Sequence, residues 1–324
     1  MKFVQASSLD SIDDYRLLEG ETPRPGPGEV VIRIAACGLG YVDALVALGR
    51  YQVKPPLPHT PGQEAGGVIE AVGEGVVGLA NCDRVMASVR GGFAEFARAP
   101  AAMTTRIPDQ MSFAQAAGFR INYLTALHGL RDRAALARGE WLLVFGAAGG
   151  VGSAAVQLGA LLGAEVIAAA SSEEKRAFAT AHGAAHAIDT SQEGWRDRLK
   201  ALTDGKGPDV IFDPVCGPLF EPAFRSLRWG GRHLVVGFAG GPIPALPVNL
   251  SLMKGAALIG VDVRQFLLFE AAKAAAHLEE LLSWVAEGRL APIVGRTFAL
   301  EEFAPALEFA LSGQGLGKTV VEIG

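Results

Sequence analysis

Cysteine is scarce in this chain, with only 3 in 324 residues. Cys37, Cys82 and Cys216 are odd in number, far apart and without a C-x-x-C. A disulfide framework is excluded as the organising principle, and reduced thiols in a reducing compartment are expected. Neither charge sign dominates: 29 Lys and Arg stand against 34 Asp and Glu, a formal net charge of -5. No run of basic residues exceeds a pair, so a nucleic-acid partner is not expected. Residues 1–10 hold one lysine and no apolar stretch, which gives no secretory signal and makes the cytoplasm the expected location. Residues 141–164 are uncharged and long enough to cross a bilayer, but their six glycines divide them into strand, turn and helix. A membrane span is therefore not expected. H-E-x-x-H and G-x-S-x-G are absent, and His182 and His186 are separated by Gly183 where a helix should end, so no metal pair is read there.

What is present is apolar material, 50% of residues, ample for two packed domains. In the first third, short apolar runs at 29–36, 67–72 and 84–88 alternate with Gly- and Pro-rich turns, the pattern of a β-rich module. Near Ser112 the texture changes. Ser112 and Gln115 have capping-box spacing before a helical pattern reaching about Leu130. Strands at 141–145, 165–170, 210–213, 233–237 and 257–261 then alternate with helices at 151–162 and 173–182, which predicts a doubly wound parallel sheet. Beyond Gln265 a long Ala/Leu/Glu helix, a strand at 296–299, a helix from Glu302 and a strand at 319–323 are too few for a third domain. The expected organisation is a nucleotide-binding domain at 116–264 inserted into a β-rich domain of 1–115 plus 265–324.

The chemistry-bearing motif follows the strand W-L-L-V-F: Gly146-Ala147-Ala148-Gly149-Gly150-Val151-Gly152, then a helix. Between strand and helix such a turn is a pyrophosphate site. Gly149 lets the backbone approach the phosphates, Gly152 permits close helix packing, and the residues Gly149, Gly150 and Val151 sit where free N–H groups point outward. Ala147 occupies the first glycine position of the strict G-x-G-x-x-G. At the end of the next strand, where an NAD site has an acid for the ribose, this chain has Ala170, followed by Ser171, Ser172 and Lys175. Hydroxyls and a cation without an acid suit the 2'-phosphate of NADPH; the alternative is a serine N-cap followed by a solvated lysine.

At this point the chain resembles the zinc-independent quinone oxidoreductase branch of the medium-chain dehydrogenase/reductase superfamily, the group of bacterial NADPH:quinone reductase and zeta-crystallin. The matching stretches are Gly49-Arg50-Tyr51, Pro61-Gly62-Gln63-Glu64-Ala65-Gly66-Gly67-Val68, Asp83-Arg84-Val85, Gly91-Gly92-Phe93-Ala94-Glu95-Phe96, Tyr123-Leu124-Thr125-Ala126, Ala147 to Gly152, Val236-Gly237 and Gly317-Lys318. The resemblance implies an α/β fold: a Rossmann domain inserted into a GroES-like catalytic domain. It implies NADPH as cofactor, and adds Thr125, Phe238 and Lys318 to the cofactor contacts. Zinc members of the superfamily place Cys and His ligands where this chain has Gly40 and Gln63, and their cysteine-rich lobe has no counterpart here, so no metal is expected. Quinone reductases of the family have Asn where Gly40 stands and a tyrosine where Asp189-Thr190 stands.

Without a metal, reduction rests on holding the nicotinamide against an electrophile and excluding water. Tyr51, in the family motif, is the first candidate to line the substrate pocket or to donate a hydrogen bond to the acceptor oxygen, and Tyr41 the second; for each the alternative is a packing role. Three readings follow: NADPH-dependent reduction of a quinone; reduction of an activated C=C bond in an enone, 2-alkenal or enoyl-CoA thioester; or an NADPH-binding structural or regulatory protein with little turnover. The resemblance also implies a homodimer through the edge strand at 257–263.

Overall fold

The computed structural model describes residues 1–324. The chain forms two units, Met1–Arg120 with Leu282–Gly324, and Ile121–Leu281.

The first part of unit 1 contains β1 (Lys2–Gln5), β2 (Arg16–Glu19), β3 (Glu29–Leu39), α1 (Tyr41–Ala47), β4 (Glu64–Val72), β5 (Arg84–Ser88), β6 (Phe96–Pro100), β7 (Thr104–Arg106) and α2 (Phe113–Ala117). β1 and β2 form a small hairpin of their own. β3 runs three residues beyond the apolar stretch read from sequence, and Val30, Val31, Ile32 and Ile34 in it are buried. The expected capping box is present at α2: Ser112 Oγ accepts from Gln115 N at 3.1 Å, and Gln115 Oε1 accepts from Ser112 N at 2.9 Å. Such a cap stabilises a helix start by about 1 kcal/mol. The single helix expected from Ser112 to Leu130 breaks at Gly118. A Cβ there would lie 2.5 Å from the Lys318 side chain, so the close approach of that lysine excludes a bulkier residue.

Unit 2 contains α3 (Arg120–Leu127), β8 (Trp141–Phe145), α4 (Gly150–Leu161), β9 (Glu165–Ala170), α5 (Glu173–Ala181), β10 (His186–Asp189), α6 (Trp195–Leu202), β11 (Val210–Asp213), α7 (Phe220–Ser226), β12 (Arg232–Val235), α8 (Asn249–Lys254), β13 (Ala257–Gly260), α9 (Val263–Phe269) and α10 (Ala271–Ala286), whose last turn passes into unit 1. Its six strands are all parallel, in the order β10-β9-β8-β11-β12-β13. Leu142, Leu143, Val144, Ile211 and Phe212 are fully buried, as expected for strands covered on both faces. Truncating one such side chain to alanine costs about 2–5 kcal/mol.

The long helix read after Gln265 is two helices, α9 and α10, parted at Glu270. Residues 265–281, read from sequence with the β-rich domain, sit in unit 2. The physical tie is a cluster on α10 and on the π-helical turn that prolongs α3: Asp132 meets Lys273 Nζ at 2.9 Å and His277 Nε2 at 3.3 Å, and Arg131 pairs with Glu280 at 2.5 Å. Arg131 is held by this partner, which is distant in sequence. No helix is long and apolar enough to cross a membrane.

The chain then returns to unit 1 with β14 (Val294–Ala299), α11 (Phe303–Ser312) and β15 (Lys318–Glu322). These complete a seven-stranded sheet of order β14-β15-β3-β4-β5-β7, with β6 also pairing β3. β14 and β15 are parallel and the other neighbours antiparallel. One core, including Val30, Ile32, Ile34, Ile69, Val85, Phe93 and Val321, joins both segments of the unit.

Candidate cofactor site

The order of the parallel sheet reverses at β8, which has β9 on one side and β11 on the other. Ligands of open α/β sheets bind in the crevice beyond the strand ends at such a point. The glycine turn leaves β8 there. Gly146 is left-handed at φ 58°, Gly149 N–H donates to Gly146 O at 2.9 Å, and Ser153 N–H donates to Gly149 O at 2.8 Å. Gly149 caps α4 in extended conformation, with Gly150 and Val151 opening the helix. The N–H groups of a first turn lack intrahelical partners and carry the positive end of the helix dipole, so they receive an anion readily. A Cβ on Gly152 would stand 2.0 Å from Gly146 O, and one on Gly150 would stand 2.9 Å from Asn122 Nδ2. These two glycines hold the helix against the turn and keep the backbone bare.

Beyond β9, Ala170 is buried and Ser171 exposed. Ser172 Oγ caps α5, accepting from Lys175 N at 3.3 Å. Sequence reading missed Arg176. Its Nη1 donates to Ala170 O at 3.1 Å and lies 3.0 Å from Asp189 Oδ2, since Asp189 of β10 is in register with Ala170 of β9. The hydroxyl and N–H of Ser191, aided by Arg176 and Arg198, hold the Asp189 carboxyl below the ordinary aspartate range. The acid that stands at this edge is therefore already answered by a guanidinium. The signal was readable only as an Arg one residue beyond Lys175, and nothing local paired it with Asp189.

Thr125 is buried in α3 and its hydroxyl donates to Ile121 O at 2.6 Å. Phe238, after β12, is 38% exposed. Asp213, at the end of β11, is a second missed residue. Its Oδ1 accepts from Val215 N at 3.0 Å and Cys216 N at 2.7 Å, while Oδ2 lies 3.0 Å from His233 Nε2. It shapes the loop on the other side of the crevice.

In unit 1, Tyr41 opens α1 and Tyr51 lies in the following loop, both half-buried. Gly40 N–H donates to Asp43 Oδ2 at 2.8 Å. Lys318 begins β15 and is buried, with Nζ 3.6 Å from Glu64 Oε2 at the start of β4. Its stem passes three glycines: Cβ atoms on Gly118, Gly38 and Gly40 would come 2.5 Å from its Cγ, 2.9 Å from its Cε and 3.5 Å from its Nζ. Burial raises the Asp43 carboxyl above the ordinary range, opposed by the Lys318 charge, the Gly40 N–H and the Gln63 side chain. Arg120 is buried within the field of Glu64 and donates to Met103 O at 2.8 Å. Burial also pushes the Cys37 thiol up, so it is a packing residue rather than a nucleophile.

A parallel sheet of this order with a glycine turn at its switch point defines a dinucleotide-binding fold. Family models for the alcohol dehydrogenase GroES-like domain and for zinc-binding dehydrogenase match residues 26–109 and 150–286. A quinone oxidoreductase-like protein 2 homolog of Nematostella vectensis is 35% identical over 304 residues, covering 93% of this chain and 83% of that protein. A mycobacterial protein solved in complex with NADPH superposes with a TM-score of 0.91 at 28% identity, over 99% of this chain and 100% of that one. The CurK enoyl reductase superposes with a TM-score of 0.89 at 27% identity, over 100% and 99%. The chain belongs to the quinone oxidoreductase branch of the medium-chain dehydrogenase/reductase superfamily, and it is an oxidoreductase.

Proposed function

We propose that this oxidoreductase transfers hydride from NADPH to a quinone without a metal ion. NADPH is its cofactor and, when bound, supplies the hydride. The carrying observation is the edge of β9, where Ala170 stands in place of an acid, Ser171, Ser172 and Lys175 follow, and Arg176 neutralises Asp189. The N–H groups of Gly150, Val151 and Gly152 are assigned to the pyrophosphate, with Gly149, whose own N–H goes to Gly146 O, giving the phosphates close approach by its lack of a side chain; the two serines and Lys175 are assigned to the 2'-phosphate. Thr125 is assigned a packing contact, because its hydroxyl is spent on the backbone, and Phe238 an apolar contact beside the cofactor. Tyr51 is assigned to the acceptor oxygen, with Tyr41 as the second candidate.

Zinc does not fit the residues at the family's metal position. Gly40 has no donor side chain, Gln63 is not a ligand of the required type, and an ammonium group stands within 3.6 Å of the neighbouring Glu64. A quinone suits such a site because the incoming charge spreads onto its oxygen without a Lewis acid. The likeness to CurK enoyl reductase supports a second reading, reduction of an activated C=C bond on the same scaffold.

Steady-state NADPH oxidation against quinones, enones and enoyl-CoA thioesters separates the readings. Quinones are expected to show the highest kcat/KM, and faster turnover of an enone or enoyl thioester transfers the assignment to the second reading. Tyr51→Phe is expected to lower kcat about 10- to 100-fold with little change in NADPH affinity; an unchanged kcat makes Tyr51 a packing residue. We also propose a homodimer in a reducing, cytoplasmic compartment. The end strand β13 and its surroundings expose Leu252, Met253, Leu258, Leu268 and Phe269, and light scattering at twice the 33.8 kDa chain mass is the expected result.

A further inference from the structure

We infer that Lys318 is a built-in cation that takes the place of a metal in unit 1 and closes that position to divalent ions. The inference rests on the metal-free reading above and adds its physical cause. Loss of two ligands alone would leave the Glu64 and Asp43 carboxylates, which attract cations, at this place. An ammonium stands beside them instead. Lys318 Nζ lies 3.6 Å from Glu64 Oε2 and 3.5 Å from where a Cβ of residue 40 would stand.

The approach is built into the fold. The lysine stem lies along Gly118 and Gly38, where a Cβ would come within 2.5 Å of its Cγ and 2.9 Å of its Cε. A side chain at position 118 would displace the stem, while at position 38 a Cβ would first meet Ala117 O at 2.0 Å, so the backbone itself keeps that position bare beside the lysine. Its side chain is only 10% exposed and that of Glu64 9%, so solvent screens the charge weakly. Lys318 faces both Asp43 and Glu64, and Arg120 lies in the field of Glu64, so the two acids are answered by two bases and leave no surplus negative charge for a divalent ion. Gly40 itself has a use here: its N–H anchors Asp43 at 2.8 Å.

The test restores the ligands with and without the lysine. Three proteins are compared: Gly40→Cys/Gln63→His, the same pair with Lys318→Met, and the same pair with Lys318→Gln. Zinc per chain is measured after dialysis against a weak chelator, and Co²⁺ is added to read thiolate coordination by absorption, on proteins shown by melting to be folded. The double variant is expected to hold zinc at least ~100-fold more weakly than a folded variant lacking the lysine, because a divalent ion within a few ångströms of a buried ammonium is strongly repelled. Lys318→Gln keeps nearly the length and polarity of the side chain and serves where Lys318→Met does not fold. Tight zinc binding by the double variant with Lys318 in place overturns the inference. So does a folded lysine-free variant that stays metal-free. Zinc found in the unaltered protein, lost together with activity, would instead overturn the metal-free reading itself.

Discussion

Both units use glycine to let two groups come close, but to opposite ends. In unit 2, Gly149, Gly150 and Gly152 strip the backbone beyond β8, leaving the first-turn N–H groups of α4 open to the anion proposed there. In unit 1, Gly118 leaves room for the stem of Lys318, a side chain of the same chain, which runs on past Gly38 and Gly40. On the assignments proposed above, the first arrangement leaves charge complementarity incomplete and so binds, and the second completes it internally and so excludes. The residue type alone does not distinguish a binding site from a closed one. What decides is whether the charge facing the glycines belongs to the protein.

The comparison is broken most severely at Lys318. Lys318→Met removes the nearer cation from buried Glu64 and is expected to cost about 3–5 kcal/mol in denaturant unfolding. Adding Glu64→Gln should restore part of this, because one of the two carboxylates that face the lysine, Glu64 and Asp43, is then neutral. Equal losses in the single and double variants would show that packing of the stem, not charge, holds this arrangement.

The next largest effect tests the walls. Gly152→Ala drives a methyl to 2.0 Å from a carbonyl oxygen of the backbone and is expected to cost about 3 kcal/mol, with loss of NADPH fluorescence enhancement. Gly118→Ala meets the buried base of the Lys318 side chain, 2.5 Å from its Cγ, rather than backbone, and should cost less, about 2 kcal/mol. A larger loss for Gly118→Ala would reverse the order of rigidity argued here.

Lys175→Ala sharpens the external side of the comparison. It should weaken NADPH about 10- to 150-fold and leave NADH nearly untouched, since only NADPH carries the 2'-phosphate. Equal weakening of both cofactors would remove Lys175 from the phosphate site. Arg176→Ala should also weaken NADPH by releasing the Asp189 charge, and Asp189→Asn should rescue it.

The smallest expected effect is on pH dependence and involves both units. Burial is the largest cause that holds His59 in unit 1 and His277 in unit 2 below the ordinary histidine value of 6.5. The unfolded chain takes up these protons near pH 6.5 while the folded chain resists until lower pH. Stability is thus fully present above pH 6.5 and declines as pH falls below it, by at most about 1.4 kcal/mol per pH unit for each histidine. Melting of His277→Gln between pH 7 and 5.5 should show a shallower decline; an unchanged slope would mean His277 does not contribute.

Much of the fold was legible because it is written in local periodicity. The strands Trp141–Phe145, Glu165–Ala170, Val210–Asp213 and Arg84–Ser88 lie where their apolar runs placed them, and the Ser112 cap depends only on a residue three positions away. The short strand His186–Asp189 escaped notice because four residues with a half-polar face carry little pattern. Of the candidate site, the glycine turn was legible for the same reason as the strands. Arg176 was not, since its meaning depends on the parallel register that brings Asp189 beside Ala170.

Lys318 marks the boundary between the two kinds of information. The sequence by itself determined the alternation of strand and helix and the glycine turn opening a helix, because each is a property of neighbouring residues; the missing metal donors at Gly40 and Gln63 were read through the family resemblance. It assigned Lys318 to the cofactor by resemblance alone. Only the tertiary structure decided that the lysine is buried against Glu64 and Gly40, because that contact requires β15 to pair with β3 and β3 with β4. Charge balance across such a sheet depends on distances through space, which local pattern does not encode.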